Sequence, residues 1–171
     1  LTLHPKGMQY ASTLDGFKQY PLLVDKTGAV LSFPPIINSN DLGRIESGDT
    51  ELLVELTGTD LDAVNLSCNI LAAAFSDRGW KVRTVAVMHP SGKMVTPTLK
   101  PEVMTLDPKQ VNALLGLDLK PEEIAKLLER MRYGVVGKKV TIPSYRGDIM
   151  HPIDVIEDVI ISYGYNSLPD A

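Results

Sequence analysis

The sequence predicts an α+β fold in two parts, a mixed, β-rich first part and a small winged-helix-like second part. Up to about residue 100, short apolar runs end at Gly or Pro, which is typical of strands. Beyond residue 107, apolar residues recur at helical spacing. A connector with two prolines, 96–101, lies between the two patterns. We therefore place a domain boundary there, with domains at 1–99 and 100–171.

The composition is that of a globular chain. Of 171 residues, 44% are hydrophobic and 22% are charged, which excludes collagen-like and disordered classes. The net charge of −4 excludes a basic nucleic-acid coat protein, and no apolar run approaches the roughly 20 residues that cross a bilayer. Cys68 is the one cysteine and cannot form an internal disulfide, so we expect a cytoplasmic protein with no membrane partner.

The first part should contain a hairpin, a further strand, a long helix and a second hairpin. Gly28 can take the positive φ that the first turn needs. Asp60 or Thr59 should cap the helix, and Gly79 should end it. The helix face predicted to be buried contains Leu61, Val64, Cys68, Leu71, Ala72 and Phe75. The expected ranges are 20–25 and 29–33 for the first hairpin, 51–56 for the strand, 60–78 for the helix, and 81–89 and 93–96 for the second hairpin.

The second part should contain three helices and a β-ribbon. An Asp-Pro pair at 107–108 predicts the start of the first helix, and Gly116 predicts its end. The second helix opens at Pro121 and should bury a stripe of Ile124, Leu127, Leu128 and Met131. A ribbon or a single strand follows over 134–142, and the third helix follows over 151–164.

Four carboxylates near the end of the chain form the sharpest polar cluster: Asp148, Asp154, Glu157 and Asp158. Positions 154, 157 and 158 share one helical face, and Ile153, Ile156, Val159, Ile160 and Tyr163 should take the opposite one. Like charges this close repel, and Mg²⁺ or Ca²⁺ would relieve the repulsion. A solvated acidic face, stabilised by the positive end of the helix dipole, explains the same spacing without a metal.

Four polar residues of the first part, Ser32, Asn38, Glu55 and Thr57, lie at or near predicted strand ends. Glu55 and Thr57 are two positions apart, so they share one face of a strand. This pattern is consistent with the lining of a pocket and equally with an exposed face. The sequence contains no P-loop and no GxGxxG motif.

Five motifs occur in a fixed order along the chain. The first part carries F-P-P-I-I-N at 33–38 and L-T-G-T-D at 56–60. The second part carries P-x-x-R-x-D at 143–148, D-x-x-E-D at 154–158 and Y-G-Y-N at 163–166. Together they closely resemble the archaeal and eukaryotic type of phenylalanyl-tRNA synthetase β subunit over essentially the whole chain. The resemblance implies the later part of the editing domain, followed by a winged-helix-like domain.

The resemblance also implies cofactors and partners. The family's metal pattern matches Asp148, Asp154, Glu157 and Asp158, which implies Mg²⁺ shared with the α subunit. ATP would bind to the whole enzyme and not to this segment. The implied partners are the α subunit, the rest of the β subunit and the phenylalanine tRNA, tRNA(Phe). The implied overall activity is ATP-dependent aminoacylation of tRNA with phenylalanine.

The family's editing pocket hydrolyses tyrosine misattached to tRNA(Phe). The resemblance implies Leu23 as a substrate-binding residue and Ser32, Asn38, Glu55 and Thr57 as catalytic residues. No residue resembles a nucleophile with an adjacent base, so we expect a positioned water and donors for the oxyanion. Glu55 either binds the phenol or orients the water. The family's editing domain is nearly twice as long as domain 1–99, so we expect this chain alone to edit poorly or not at all.

Two other functions fit the residues. A nucleic-acid-binding winged-helix-like module with only a scaffold role fits the basic residues Lys126, Arg130, Lys138 and Lys139. A stand-alone Mg²⁺-dependent hydrolase fits the acidic cluster. Salt-dependent tRNA binding tests the first alternative. Activity that is lost in EDTA but retained in Asn38→Ala would indicate the second.

Overall fold

A computed structural model describes residues 1–168, which divide into two compact units, one over Leu1–Thr59 and one from Asp60 onward. Both units combine helices with antiparallel sheets, which confirms the predicted α+β class. The predicted boundary near residue 100 separates domains of a larger family, and it stays a prediction. Within residues 1–168, no helix is long and apolar enough to cross a membrane.

The first unit contains one short helix and one small sheet. The order of the three antiparallel strands in the sheet is β1-β2-β3. The elements are α1 (Pro5–Tyr10), a 3-10 turn (Ala11–Leu14), β1 (Leu23–Val24), β2 (Val30–Phe33) and β3 (Ile37–Asn38). Leu14, Ser32 and Ile36 are its buried residues with side chains larger than hydrogen.

The hairpin β1–β2 confirms the first predicted turn, although its strands are shorter than predicted. Gly28 has φ 87°, the left-handed conformation that glycine adopts without steric cost. The Asp25 carboxylate accepts hydrogen bonds from Thr27 N at 2.7 Å, Thr27 Oγ1 at 2.7 Å and Ala29 N at 2.9 Å. These bonds, the Thr27 hydroxyl first, lower the pKa of Asp25. The turn therefore fixes which residues of β1 and β2 face each other.

The predicted strand over 51–56 is wrong. This segment has no regular secondary structure, and of its apolar residues Leu52 and Leu56 are half-buried whereas Leu53 and Val54 are exposed. A strand is completed by a hydrogen-bonded neighbour and not by its own apolar pattern. The local sequence carries no information about that neighbour.

The second unit begins with a long helix and a hairpin at the predicted places. These elements are α2 (Leu61–Asp77), β4 (Val85–His89) and β5 (Gly92–Thr96). Asp60 caps α2 by accepting from Ala63 N at 2.8 Å, and Gly79 takes φ 87° after its end. Strand β4 is shorter than the predicted range, which began at residue 81.

The predicted buried face of α2 is only partly right. Ala72 is buried, but Leu61 and Leu71 are exposed. Asn69 takes the other buried position, and its amide donates to Thr98 O at 3.0 Å and Ser144 O at 3.1 Å. An amide is buried favourably only where such partners exist, and these partners lie far away in the sequence.

The rest of the second unit confirms the predicted three helices and β-ribbon. The elements are β6 (Glu102–Thr105), α3 (Pro108–Leu115), α4 (Pro121–Arg130), β7 (Gly134–Val136), β8 (Lys139–Ile142) and α5 (Pro152–Tyr163). Gly116 ends α3 at φ 66°, and Gly137 turns the ribbon at φ 61°. Strand β6 was not predicted. It joins the ribbon to give the sheet order β6-β8-β7, with Glu102 opposite Ile142.

The core of this unit lies between α4, α5 and the three-stranded sheet. The segments that follow α4 and β8 contribute Tyr133 and Ile149 to it. The predicted stripe of α4 is confirmed, with Ile124 and Leu128 buried and Leu127 and Met131 packed against the core. On α5, Ile156, Val159 and Ile160 are buried as predicted, but Ile153 is 52% exposed. The buried face of α5 includes Asp158.

Candidate functional site

Three of the predicted pocket residues form one row across the first sheet. Leu23 of β1 is directly opposite Ser32 of β2, and Ser32 is directly opposite Asn38 of β3. Residues directly opposite in antiparallel strands project from the same face of the sheet. The register therefore brings together three residues that the resemblance assigned to one pocket.

Glu55 joins this row through Ser32. The Ser32 hydroxyl donates to Glu55 Oε2 at 2.8 Å, because a carboxylate offers only acceptors. Ser32 is 5% exposed, whereas Glu55 lies at the surface. The buried hydroxyl thus fixes one oxygen of a carboxylate whose other oxygen carries no hydrogen bond to it.

A cavity of about 390 Å³ opens beside the row. This volume lies within the range of roughly 300–1,000 Å³ found for small-molecule sites. Its wall includes Ser32, Asn38, Glu55 and Thr57, and Lys6 of α1 adds a cation. Leu23 flanks Ser32 in the row but is not part of the wall.

A hydrogen bond and a tight backbone approach hold Asn38. Its Nδ2 donates to Gly43 O at 3.2 Å, which leaves a second N–H free to donate. A Cβ on Gly43 would lie 2.4 Å from Leu31 O and 2.8 Å from Asn38 Cβ. Only glycine fits there, so the loop after β3 presses closely on the pocket strand.

The acidic residues of the second unit are arranged differently from the prediction. Asp158 is 5% exposed, so it does not lie on a solvated face with Asp154 and Glu157. Its Oδ2 accepts from Tyr133 Oη at 2.5 Å and from Arg146 Nη1 at 2.8 Å. Burial, followed by the bond to Asp158, raises the pKa of Tyr133 above its usual range.

The other three carboxylates have separate surroundings. Asp148 receives Arg146 Nε at 2.8 Å and Nη2 at 2.6 Å, and this pairing lowers the pKa of Asp148. Asp154 accepts from Met150 N at 2.8 Å and His151 N at 2.7 Å, which caps the start of α5. Glu157 lies exposed on the outer side of the helix.

These residues do not fit the magnesium site that the resemblance implies. Mg²⁺ requires several oxygens that converge on one point. Over residues 1–168, no group of three or more His, Cys, Asp or Glu side chains is arranged to hold a metal ion. Asp148, Asp154 and Asp158 accept hydrogen bonds from protein groups, and the buried Asp158 is turned away from the exposed Glu157. The prediction of a four-carboxylate metal cluster is therefore not supported by this geometry.

Comparison with known proteins identifies the second unit. Residues 104–165 match the family described as "tRNA synthetase B5 domain". The phenylalanine–tRNA ligase β subunit of Pyrococcus abyssi is 45% identical over 98% of this chain and 31% of its own length. A crystal structure of an N-terminal fragment of the Pyrococcus horikoshii phenylalanyl-tRNA synthetase β subunit matches with TM-score 0.83 and 36% identity, over 96% of this chain and 48% of that one.

Residues 104–165 are a B5 domain of the phenylalanyl-tRNA synthetase β-subunit family. This confirms the resemblance that the motifs suggested. A further relative, from Archaeoglobus fulgidus, is 45% identical over 96% of this chain and 30% of its own length. The chain thus spans about a third of the length of these relatives. The B5 domain begins in β6 and ends just after α5.

Three residues at these sites were not predicted. Lys6 lies in α1, before any predicted element, and Pro5 at the first helical position was the available signal. Arg146 was quoted only as part of a motif, and Tyr133 was not considered. The Arg146 guanidinium lies 5.6 Å from the centroid of the Tyr133 ring and binds Asp148 and Asp158. In the motif P-x-x-R-x-D, an Arg two residues before an Asp was the signal for this pairing.

Proposed function

We propose that residues 1–59 contribute a pocket that hydrolyses the ester of tyrosine misattached to tRNA(Phe), as part of a phenylalanyl-tRNA synthetase β subunit. The observation that carries this proposal is the meeting of Ser32, Asn38, Glu55 and Thr57 around one cavity. In this proposal, residues 1–99 are the later part of an editing domain and 100–171 the winged-helix-like domain. Aminoacylation with ATP belongs to the assembly with the α subunit.

The need for such a pocket is physical. A synthetic site built for phenylalanine is apolar, and an apolar pocket rejects an added hydroxyl only weakly. A second site with hydrogen-bonding groups reverses the preference, because phenylalanine leaves those groups unpaired. The carboxylate of Glu55 and the hydroxyl of Thr57 supply such groups in the cavity wall.

The residues suggest a division of roles during hydrolysis. Ser32 acts as a positioning residue, since its hydroxyl is spent on Glu55. Asn38 retains one N–H that can donate to the developing oxyanion. Thr57 can donate in the same way or hold the attacking water. Lys6 supplies a positive charge for a substrate that arrives on a polyanionic tRNA.

Replacement of Glu55 by Gln tests the pocket, in an enzyme whose β subunit carries this segment. We expect hydrolysis of Tyr-tRNA(Phe) to fall roughly tenfold to a hundredfold, because a hydrogen bond to a charged group is lost. If Glu55 binds the phenol, hydrolysis of Phe-tRNA(Phe) should change little. If it orients the water, both rates should fall together.

Glu46→Gln is the matched control for Glu55. Glu46 is exposed in the same unit, pairs only with Arg44 among the ion pairs described, and does not line the cavity. Its replacement should leave both rates unchanged. Equal rates for Glu55→Gln and wild type would contradict the proposed pocket.

The B5 domain is proposed to support subunit assembly and tRNA binding. Lys126, Arg130 and Lys139 are exposed on α4 and β8, whereas Lys138 is paired with Asp107 at 3.1 Å. Replacing all four by Gln should weaken tRNA binding and flatten its salt dependence by about 0.7–0.9 per lost phosphate contact. The measurement is the dissociation constant across a salt series. An unchanged constant and slope would remove tRNA binding from this surface, with Lys93→Gln as the control.

A further inference from the structure

The cation within the acidic cluster of the B5 domain is the guanidinium of Arg146. It binds both oxygens of Asp148, at 2.8 and 2.6 Å, and one oxygen of Asp158 at 2.8 Å. Its Nε, Nη1 and Nη2 each take part, and its side chain is only 20% exposed. A planar fork that bridges two carboxylates does what a divalent ion would otherwise do, which is to cancel their repulsion.

Asp158 depends on this arrangement because it is buried. A carboxylate removed from water is tolerated only when it is paired and hydrogen-bonded. Both of its described partners, Arg146 Nη1 and Tyr133 Oη, bind the same atom, Oδ2. An incoming Mg²⁺ at that oxygen would have to displace a guanidinium and a phenol and would meet the positive charge of Arg146.

The pairing also joins three parts of the domain. Tyr133 follows α4, Arg146 lies in the segment between β8 and α5, and Asp158 lies in the middle of α5. Gly147 lies next to Arg146, and a Cβ there would lie 2.3 Å from Leu66 Cδ2, so this segment is packed closely against α2. The ion pairs therefore hold a non-helical segment at a buried position.

We infer that Arg146 is the resident cation of this cluster and that Asp148, Asp154, Glu157 and Asp158 do not bind Mg²⁺ in this chain. The motifs P-x-x-R-x-D and D-x-x-E-D thus encode an arginine clamp between the β8–α5 segment and α5. The carboxylates act through Arg146 and the backbone of the α5 cap.

A magnesium titration of the 171-residue chain is the first test. If the carboxylates bound Mg²⁺ with a dissociation constant of about 0.1 mM, about 10 mM MgCl₂ would raise the folding equilibrium constant roughly a hundredfold. We expect no change in the unfolding midpoint between EDTA and MgCl₂ at matched ionic strength. A rise that is abolished by Glu157→Gln would overturn the inference.

Replacement of Arg146 by Met is the second test. Met fills similar space without charge, and it leaves Asp158 buried with only the Tyr133 hydroxyl. We expect the folding equilibrium constant to fall roughly a hundredfold or more, in EDTA and in MgCl₂ alike. Arg130→Met, at an exposed position of α4, is the control and should unfold like wild type.

Each outcome of the second test is decisive. Failure of Arg146→Met to fold, while Arg130→Met folds, supports the clamp. A variant as stable as wild type overturns it. Asp148→Asn gives a milder independent measurement, since its exposed side chain loses charge but keeps its shape. It should lower the unfolding midpoint without creating any response to Mg²⁺.

Discussion

Asp158→Ala should lower the free energy of unfolding of the B5 domain by about 3–5 kcal/mol, towards the lower end because Arg146 keeps Asp148. The substitution leaves the Tyr133 hydroxyl without its acceptor and removes half of the anionic partners of Arg146. It also opens a gap at a position that is 5% exposed. Denaturant-induced unfolding of the 171-residue chain, followed by circular dichroism, measures the loss.

Glu157→Ala is the matched control for this prediction. Glu157 is the preceding residue of the same helix and is exposed, so its replacement should change stability by less than about 0.5 kcal/mol. A metal cluster would make both carboxylates matter alike once Mg²⁺ is present. Equal and Mg²⁺-dependent losses for the two variants would therefore contradict the account of this site.

Asn38→Ala should lower the rate of Tyr-tRNA(Phe) hydrolysis about 10²–10³-fold in the enzyme that carries this segment. The structural reason is that Nδ2 is anchored on Gly43 O and one N–H remains for the oxyanion. The effect should appear mainly in the hydrolytic step and only weakly in tRNA binding. Single-turnover deacylation separates the two.

Asn40→Ala is the control for Asn38. It lies two residues further on, is exposed and does not line the cavity. It should deacylate at the wild-type rate. If both variants were equally slow, a general disturbance of the loop after β3 would explain the loss, and the proposed role of Asn38 would fail.

Local signals in the sequence predicted most elements of the fold. Capping residues and glycines at turns marked the ends of α2, α3 and the two hairpins, because these effects operate within a few residues. The errors occurred where distant residues decide. Strand β6 depends on pairing with β8, and the helical phase of α2 depends on carbonyls at Thr98 and Ser144.

The candidate sites show the same division. Residue spacing left the pocket residues equally open to exposure, and the resemblance alone grouped Leu23 with Ser32 and Asn38. The register of three strands and the Ser32–Glu55 hydrogen bond then bring them together across 23 positions of sequence. For the acidic cluster, helical spacing placed Asp158 beside Glu157 but could not show that Tyr133 and Arg146 draw it into the core.

The ratio of hydrolysis rates for Tyr-tRNA(Phe) and Phe-tRNA(Phe) tests the central claim most directly. It should be measured in single turnover with the enzyme that carries this segment, beside its Glu55→Gln and Asn38→Ala variants. The account predicts a wild-type ratio of at least about a hundredfold in favour of tyrosine and loss of Tyr-tRNA(Phe) hydrolysis in both variants. A ratio near one, or variants that hydrolyse at the wild-type rate, would contradict it.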